Sequence, residues 1–555
     1  MIDHIKQDIK QLIINAFDVE DITIERPKRG MADLAIPLFG FSKAWHMSPM
    51  AVFKKFDSVL KHASIKQIEF IGGFLNIFLK RVPFSQDVLH DVYEKQQDFG
   101  SFAKTDEKVV IDYSSPNIAK SFSVGHLRST MIGHALKNIY EKCGIEVTGV
   151  NHLGDWGTQF GKMIVAYEKW GHDMDIEDDP IDALQTLYVK FHDESEKDPT
   201  LEDQARDVFK ALEEGNPIYL ALWEDFRKKS LKEFMGMYDI LNVSFDSYHG
   251  EAFYNDKMAA IVSELDQKGL LRIDEGATIV DLGDDLPPAL IKRSDGATLY
   301  MTRDLAALKY RMDTYDAKKV LYVVGNEQQL HFKQLSGVAK LLKWDVEIDH
   351  INFGLVLLDG KKMSTRGGKA KRLEAVIDQA VHEAKVAIAE KNPNLDNQDF
   401  VAKAVGVGAI IFNDLKNERH LDVDFNLASM LKFEGQTGPY LQYSSVRIES
   451  MLKDQHIDID RVDYSVFEQG HYFELVKMID QFPEHVERAK DTNSPSVIAK
   501  YILSMAQAFN SFYGRERFLV EDVNKLQANL LLARSIQIVL NEGLRLLGIE
   551  SLKAM

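Results

Sequence analysis

Holding a nucleoside triphosphate takes cations and free N–H groups, and two short stretches of this chain offer them. Ser115-Pro116-Asn117-Ile118-Ala119-Lys120-Ser121-Phe122-Ser123-Val124-Gly125-His126-Leu127 follows a predicted strand and opens a predicted helix. A helix N-terminus carries unpaired N–H groups and a partial positive charge, which suits phosphate. Gly125 lacks a side chain, so a flat ring or a phosphate can approach the backbone. His126 can donate to a phosphate oxygen, Ser123 offers one hydroxyl, and Lys120 adds a formal cation. An ordinary strand-to-helix turn, with glycine there for packing, reads the same way. The second stretch is Lys362-Met363-Ser364-Thr365-Arg366, in a loop rich in Gly and Lys. A lysine on such a loop can follow charge as pyrophosphate leaves, although a solvent-facing hairpin tip is an equal reading.

These residues need a scaffold. Val109 to Tyr113 reads as a strand ending in a Ser-Ser-Pro-Asn turn. Leu127, Met131, Ile132, Ala135, Leu136, Ile139 and Tyr140 then recur at helical spacing, Gly144 suits the helix end, and Glu146 to Val150 is the next strand. Strand, helix and strand within so short a stretch imply a parallel pair. The pattern resumes with a strand over Lys319 to Val324, a helix over Glu327 to Leu342 and a strand over Ile351 to Leu357. The predicted class is α/β, with a doubly wound, Rossmann-like parallel-sheet domain over 105–375 and a helical, partly acidic insertion at about 160–245. Before it, 1–104 reads as a small α+β domain. Its helix (3–17) sets Ile5, Ile9, Leu12, Ile13 and Ala16 on one face, Ile22 to Glu25 is a strand, and a hairpin turns at Gly72-Gly73. A hairpin is also expected between Ala289 to Arg293 and Ala297 to Met301, around Ser294-Asp295-Gly296. After it come a helical connector (376–432) and an all-α bundle (433–555), with helices running from Ser494-Pro495 to Phe512 and from Leu526 to Leu547.

The formal net charge is −18, the wrong sign for a nonspecific nucleic-acid binder, so any RNA site must rest on local basic surface. Lys361 to Arg372 holds six basic residues and no acid, and Arg26, Lys28 and Arg29 form a smaller cluster. Cys143 is the sole cysteine, which excludes an internal disulfide and a cysteine-based zinc cluster and fits a reducing cytosol. No apolar run approaches the ~18–20 residues of a membrane span, and the mixed-charge N-terminus lacks a signal-peptide pattern. A cytoplasmic protein with no membrane partner is expected.

Together and in this order, the two stretches resemble the paired signatures of class I aminoacyl-tRNA synthetases. Three further segments make the likeness close to bacterial arginyl-tRNA synthetases. They are His152-Leu153-Gly154-Asp155-Trp156-Gly157-Thr158-Gln159-Phe160-Gly161, Thr298-Leu299-Tyr300-Met301-Thr302-Arg303-Asp304 and Gly438-Pro439-Tyr440-Leu441-Gln442-Tyr443. The resemblance implies ATP-dependent ligation of L-arginine to its tRNA through arginyl-adenylate, with tRNA bound before activation. It implies ATP with Mg2+, no zinc, and commonly a monomer. Lys120, His126, Lys362 and Ser364 would be catalytic, and Ser123, Gly125, His126, Lys362 and Met363 would hold ATP. Asp304 and Glu251 would take the guanidinium, which offers five donors in a planar fork and keeps its charge, with Tyr300 packed beside it. Asn117 and Gln328 would hold the amino and carboxylate ends, with Asp112 assisting at the amino group. Each of these also has a plain structural reading, such as a helix-dipole partner for Asp304.

Two positions depart from the family pattern. Ser123 stands where the first motif has His, and Thr365 where the class has a second Lys; Lys120 is the proposed substitute. In the C-terminal helices Phe509, Phe512 and Tyr513 lie near Arg515 and Arg517, either as core or as a stacking surface for RNA bases. The competing functions are another nucleotidyl transferase, a synthetase for a different amino acid, and a noncatalytic synthetase-like binding protein.

Overall fold

The computed structural model describes residues 1–27, 32–118, 120–172, 180–293, 300–358, 360–362 and 372–555. The chain divides into two units. One comprises 101–446, 485–503 and 543–555, and the other 1–100, 447–484 and 504–542.

In the first unit the apolar run Val109-Val110-Ile111 is at most 1% exposed, as expected of a parallel strand covered on both faces. It lies in strand β1 (Lys108–Asp112), followed by helix α1 (Val124–Lys142) and strand β2 (Glu146–Val150). Later come α2 (Tyr300–Tyr315), β3 (Lys319–Tyr322), α3 (Gln329–Leu341) and β4 (Glu347–His350). The four strands form a parallel sheet in the order β4-β3-β1-β2. The chain leaves β1 toward β2 on one side and returns on the other side with β3. The carboxyl ends of β1 and β3, where Asp112 pairs with Tyr322, therefore form a topological switch point.

Two predicted elements are corrected here. The last strand of the sheet is Glu347–His350, not Ile351 to Leu357. It is a polar edge strand, held by Lys319 Nζ at 2.9 Å from Glu347 and 3.0 Å from Asp349. Val356–Leu358 instead pairs with Lys361–Lys362 and Val423–Asp424 in a separate sheet. Nor does Ala289 to Arg293 pair with a strand reaching Met301. Ala289–Lys292 pairs with Ala277–Val280, and Tyr300 and Met301 begin α2, where Met301, Leu305 and Leu308 are buried at helical spacing. The turn expected at 294–296, with 297–299, lies outside the described residues. Gln328 closes a short 3-10 turn (Asn326–Gln328) ahead of α3.

The insertion is helical as expected: Thr158–Trp170, Pro180–Ser195, Thr200–Glu213 and Pro217–Leu241. Its acidic stretch (173–179) lies outside the described residues. The buried Arg128 of α1 pairs through Nε with Asp414 at 2.7 Å and donates to the carbonyls of Gly354 and Leu421 at 2.8 Å each.

In the second unit, helix Ile2–Phe17 buries Ile2, Ile5, Ile9 and Ile13; Leu12 is half-buried, and Ala16 is exposed rather than on the apolar face. Ile65–Ile71 and Phe74–Leu79 form the expected hairpin, with Gly72 and Gly73 at φ 61° and 85° in its turn. Ile22 to Glu25 forms no strand; Glu25 alone bridges to Ala35. Among the described residues no helix is long and apolar enough to cross a membrane.

Candidate active site

The turn after β1 is backbone-strained. Ser114 and Ser115 lie at φ 71° and 48°, a left-handed region that serine rarely adopts. Side chains hold it there. Ser114 N donates to Ser129 Oγ at 2.9 Å, Ser115 N to Asn151 Oδ1 at 3.2 Å, and Ser115 Oγ to Asp112 Oδ1 at 2.9 Å. The chain then reaches α1, whose N-cap is Ser123. The Ser123 N–H donates to His126 Nδ1 at 3.1 Å. Burial, followed by the Lys120 charge, pushes His126 down to about 4. The imidazole is therefore neutral near pH 7. With Nδ1 accepting, its proton sits on Nε2, free to donate outward.

Gly125 is exposed and its φ is not positive. A Cβ built there meets only Ser123 Oγ, at 3.5 Å, which is ordinary contact. Nothing among the described residues requires glycine here, so the space they leave over the helix end suits a ligand. Lys120 is exposed, its ammonium 5.8 Å from the Tyr188 ring centre, and lost hydration there lowers its pKa. Ser123 stands at the N-cap, its Oγ 3.2 Å from His126 Nδ1. Lys362 lies in the short strand beside Leu357, and Arg372 bridges back to Ser123. The Lys362 side chain, Met363, Ser364, Thr365 and Arg366 lie outside the described residues.

The carboxylates gather at the carboxyl end of the sheet. Asp112 is buried and paired with Arg311 of α2 at 2.7 Å. Asn117 bridges to Gly154, where a Cβ would sit 2.2 Å from Asn117 Oδ1. The next residue, Asp155, accepts from Ala252 N at 2.9 Å and from Arg227 Nε at 2.8 Å. That places Glu251, whose N–H donates to the Leu153 carbonyl at 3.0 Å. The Gly154-Asp155-Trp156 segment thus fixes Asn117 and Glu251 together.

Glu251 Oε2 lies 3.5 Å from Arg303 Nη1. Burial is the largest influence on it and, with the charges of Asp304 and Asp155, pushes Glu251 up to about 7 against the pull of Arg303. Asp304 Oδ2 meets His331 Nε2 at 2.5 Å. Burial opposes the Asp304 charge, but the His331 hydrogen bond and nearby cations outweigh it and hold the carboxyl below its usual value. Glu251 meets Arg303, the residue just before Asp304, and the Asp304 charge acts on it, which brings the two acids toward one region. Tyr300, 63% exposed, stands one helical turn before Asp304. Gln328 is exposed three residues before His331.

Sequence reasoning gave no role to Asp155 or Arg303, which it quoted only within longer segments, and did not name Arg311 or His331. Arg303 and Arg311 fall on the same helix as Asp304, and His331 falls just after Gln328, but their pairings join separate elements and carry no local signal. Elsewhere, Phe509 and Phe512 are core and Tyr513 is partly exposed, with the Arg447 guanidinium 5.6 Å from its ring centre. Arg26 pairs with Glu484 at 2.6 Å; Lys28 and Arg29 lie outside the described residues. Among the described residues, no group of three or more His, Cys, Asp and Glu could hold a metal ion.

Three family models match the chain: the class I (R) tRNA synthetase catalytic domain over 88–427, the DALR anticodon binding domain over 441–555, and the arginyl tRNA synthetase N terminal domain over 1–79. An arginine--tRNA ligase of Exiguobacterium sibiricum is 48% identical over 99% of both chains, and one of Enterococcus faecalis is 48% identical over 96% of this chain and 95% of its own. The solved arginyl-tRNA synthetase of Thermus thermophilus shares the fold at 24% identity, with a TM-score of 0.85 and full coverage of both chains. The chain therefore belongs to the arginyl-tRNA synthetases, class I enzymes that use ATP to join arginine to its tRNA.

Proposed function

We propose that the crevice between the ends of β1 and β3 activates arginine and that its residues divide the work as follows. Asp304 and Glu251 take the guanidinium, Tyr300 covers it, and Asn117 and Gln328 hold the amino and carboxylate ends. Asp112, already paired with Arg311, assists at the amino group and steadies the strained turn through Ser115. Gly125 leaves room for the nucleotide. His126 donates through Nε2 to a phosphate, with Ser123 as its cap and backbone partner. Lys120 supplies the cation, and Lys362, Met363 and Ser364 close from the other side. The arginine carboxylate oxygen attacks the α-phosphorus as the bond to the β,γ-phosphates breaks, giving arginyl-adenylate and pyrophosphate. The terminal ribose hydroxyl of tRNA then attacks the arginyl carbonyl, losing its proton, and AMP leaves. The protein contributes position and fixed charge.

We read Mg2+ as arriving on the triphosphate, since the turn's one carboxylate, Asp112, is already matched by Arg311. No zinc, a cytoplasmic monomer, and boundaries near 104, 375 and 432 complete the reading. The observation that carries it is the convergence of Glu251 and Asp304 on one region at the sheet's carboxyl end. Pyrophosphate release measured with ATP, arginine and tRNA, omitting each in turn, tests it. Release is expected only with all three present. Release with another amino acid, or none at all, would overturn it.

A further inference from the structure

Each acid at the sheet's carboxyl end has a partner within the chain, but the partners differ in kind. Asp112 faces Arg311, Asp155 faces Arg227, and Glu251 faces Arg303. A guanidinium stays charged at every working pH, so in those three pairs the basic partner never titrates. Asp304 instead faces an imidazole, His331 Nε2, at 2.5 Å. Neutral His331 donates one hydrogen bond through Nε2–H and leaves the carboxylate charge intact. Protonated His331 cancels that charge.

We propose that His331 sets the affinity for arginine by governing whether Asp304 presents a net negative charge to the substrate guanidinium. With the imidazole neutral, the bond to Oδ2 fixes the carboxylate plane while Oδ1 and the net charge remain for the incoming cation. With the imidazole charged, guanidinium and imidazolium compete for one carboxylate. Proton and arginine then exclude each other at this residue, and arginine binds only the fraction of enzyme holding neutral His331. This rests on the reading of Asp304 as a guanidinium partner.

The surroundings agree. Burial opposes a charge on His331, but the hydrogen bond and charge of Asp304 outweigh it and raise the imidazole above its ordinary 6.5, toward working pH. His350 of β4 feels the His331 charge; the Phe332 ring meets His331 edge-on at 5.4 Å between ring centres and His350 at 4.6 Å. The charges of His152 and Arg311 also act on Asp304. Glu251, near 7, is the second acid that titrates in this window.

The test is the arginine KM of the full-length enzyme in aminoacylation, with saturating ATP and tRNA, at pH values from about 6 to 9, with the ATP KM as internal reference. In the wild type log KM should climb as pH falls, with contributions from Glu251 and His331. His331→Gln keeps a donor but takes no proton. It should lose about one unit of slope in log KM against pH, which is about tenfold in KM for each pH unit below the imidazole titration. His331→Phe, which keeps neither property, should raise arginine KM at every pH and leave little effect on ATP KM. An unchanged slope in His331→Gln would overturn the proposal. Asp304→Asn separates the two layers. A large rise in KM with the pH slope reduced supports both, whereas a wild-type KM removes Asp304 as the guanidinium partner and this inference with it.

Discussion

Replacing Gly125 with alanine separates what the fold needs from what the reaction needs. Gly125 is the second residue of α1, its φ is not positive, and among the described residues an added Cβ would meet only Ser123 Oγ, at 3.5 Å. Alanine therefore fits without strain and restricts the unfolded chain more than glycine does. At a first-turn position this should stabilise by about 0.5 kcal/mol. The same methyl fills the space over the helix end where the nucleotide is proposed to lie. Displacing a reacting group by the order of a bond length costs ~100-fold in rate, about 2.7 kcal/mol of barrier. Urea denaturation would read the first effect, and arginine-dependent pyrophosphate release at varied ATP the second. The expected result is equal or raised stability with adenylation lowered ~100-fold. A stable variant with normal adenylation would show that the nucleotide does not cross Gly125, and a destabilised one would refute the open geometry.

Lys120→Ala should lower the adenylation rate at least ~10-fold, about 1.4 kcal/mol; near-normal turnover at saturating ATP would remove Lys120 from the mechanism. Arg311→Met leaves Asp112 charged and buried, and denaturant unfolding should show a loss of about 3 kcal/mol or more. Adding Asp112→Asn should recover much of it, and an additive loss would sever the pair. For Glu251 the folded-state pKa, about 7, lies above its ordinary 4.5. The folded protein thus retains a proton that the unfolded chain sheds, a contribution present below about 4.5 and lost as pH rises through 7. In Glu251→Gln that pH dependence of unfolding should vanish; its persistence would assign the proton elsewhere.

The half of the site proposed to face phosphate was legible because its signal is local. A strand, a Ser-Ser-Pro-Asn turn, a helix start and a glycine follow one another within a few residues, and β1, α1 and β2 carry plain apolar periodicity. Besides Ile22 to Glu25, two elements misled. The run from Ile351 to Leu357 is more apolar than Glu347–His350, yet the polar segment joins the main sheet because Lys319 neutralises its two acids at an edge. Tyr300 and Met301 look like strand residues, but burial of Met301, Leu305 and Leu308 along one face makes them helical. The carboxylates were named through family likeness, whereas their partners were not. Arg303, Arg311 and His331 meet Glu251, Asp112 and Asp304 from elements 27 to 199 positions apart, and such pairings exist only once the sheet is assembled.

A crystal structure of the enzyme with arginine and a non-hydrolysable ATP analogue is the most direct test. The account predicts the guanidinium within hydrogen-bond distance of Asp304 and near Glu251, with the nucleotide over Gly125 and a phosphate oxygen at His126 Nε2. A guanidinium bound away from Asp304, or a nucleotide that leaves the α1 end empty, would contradict it.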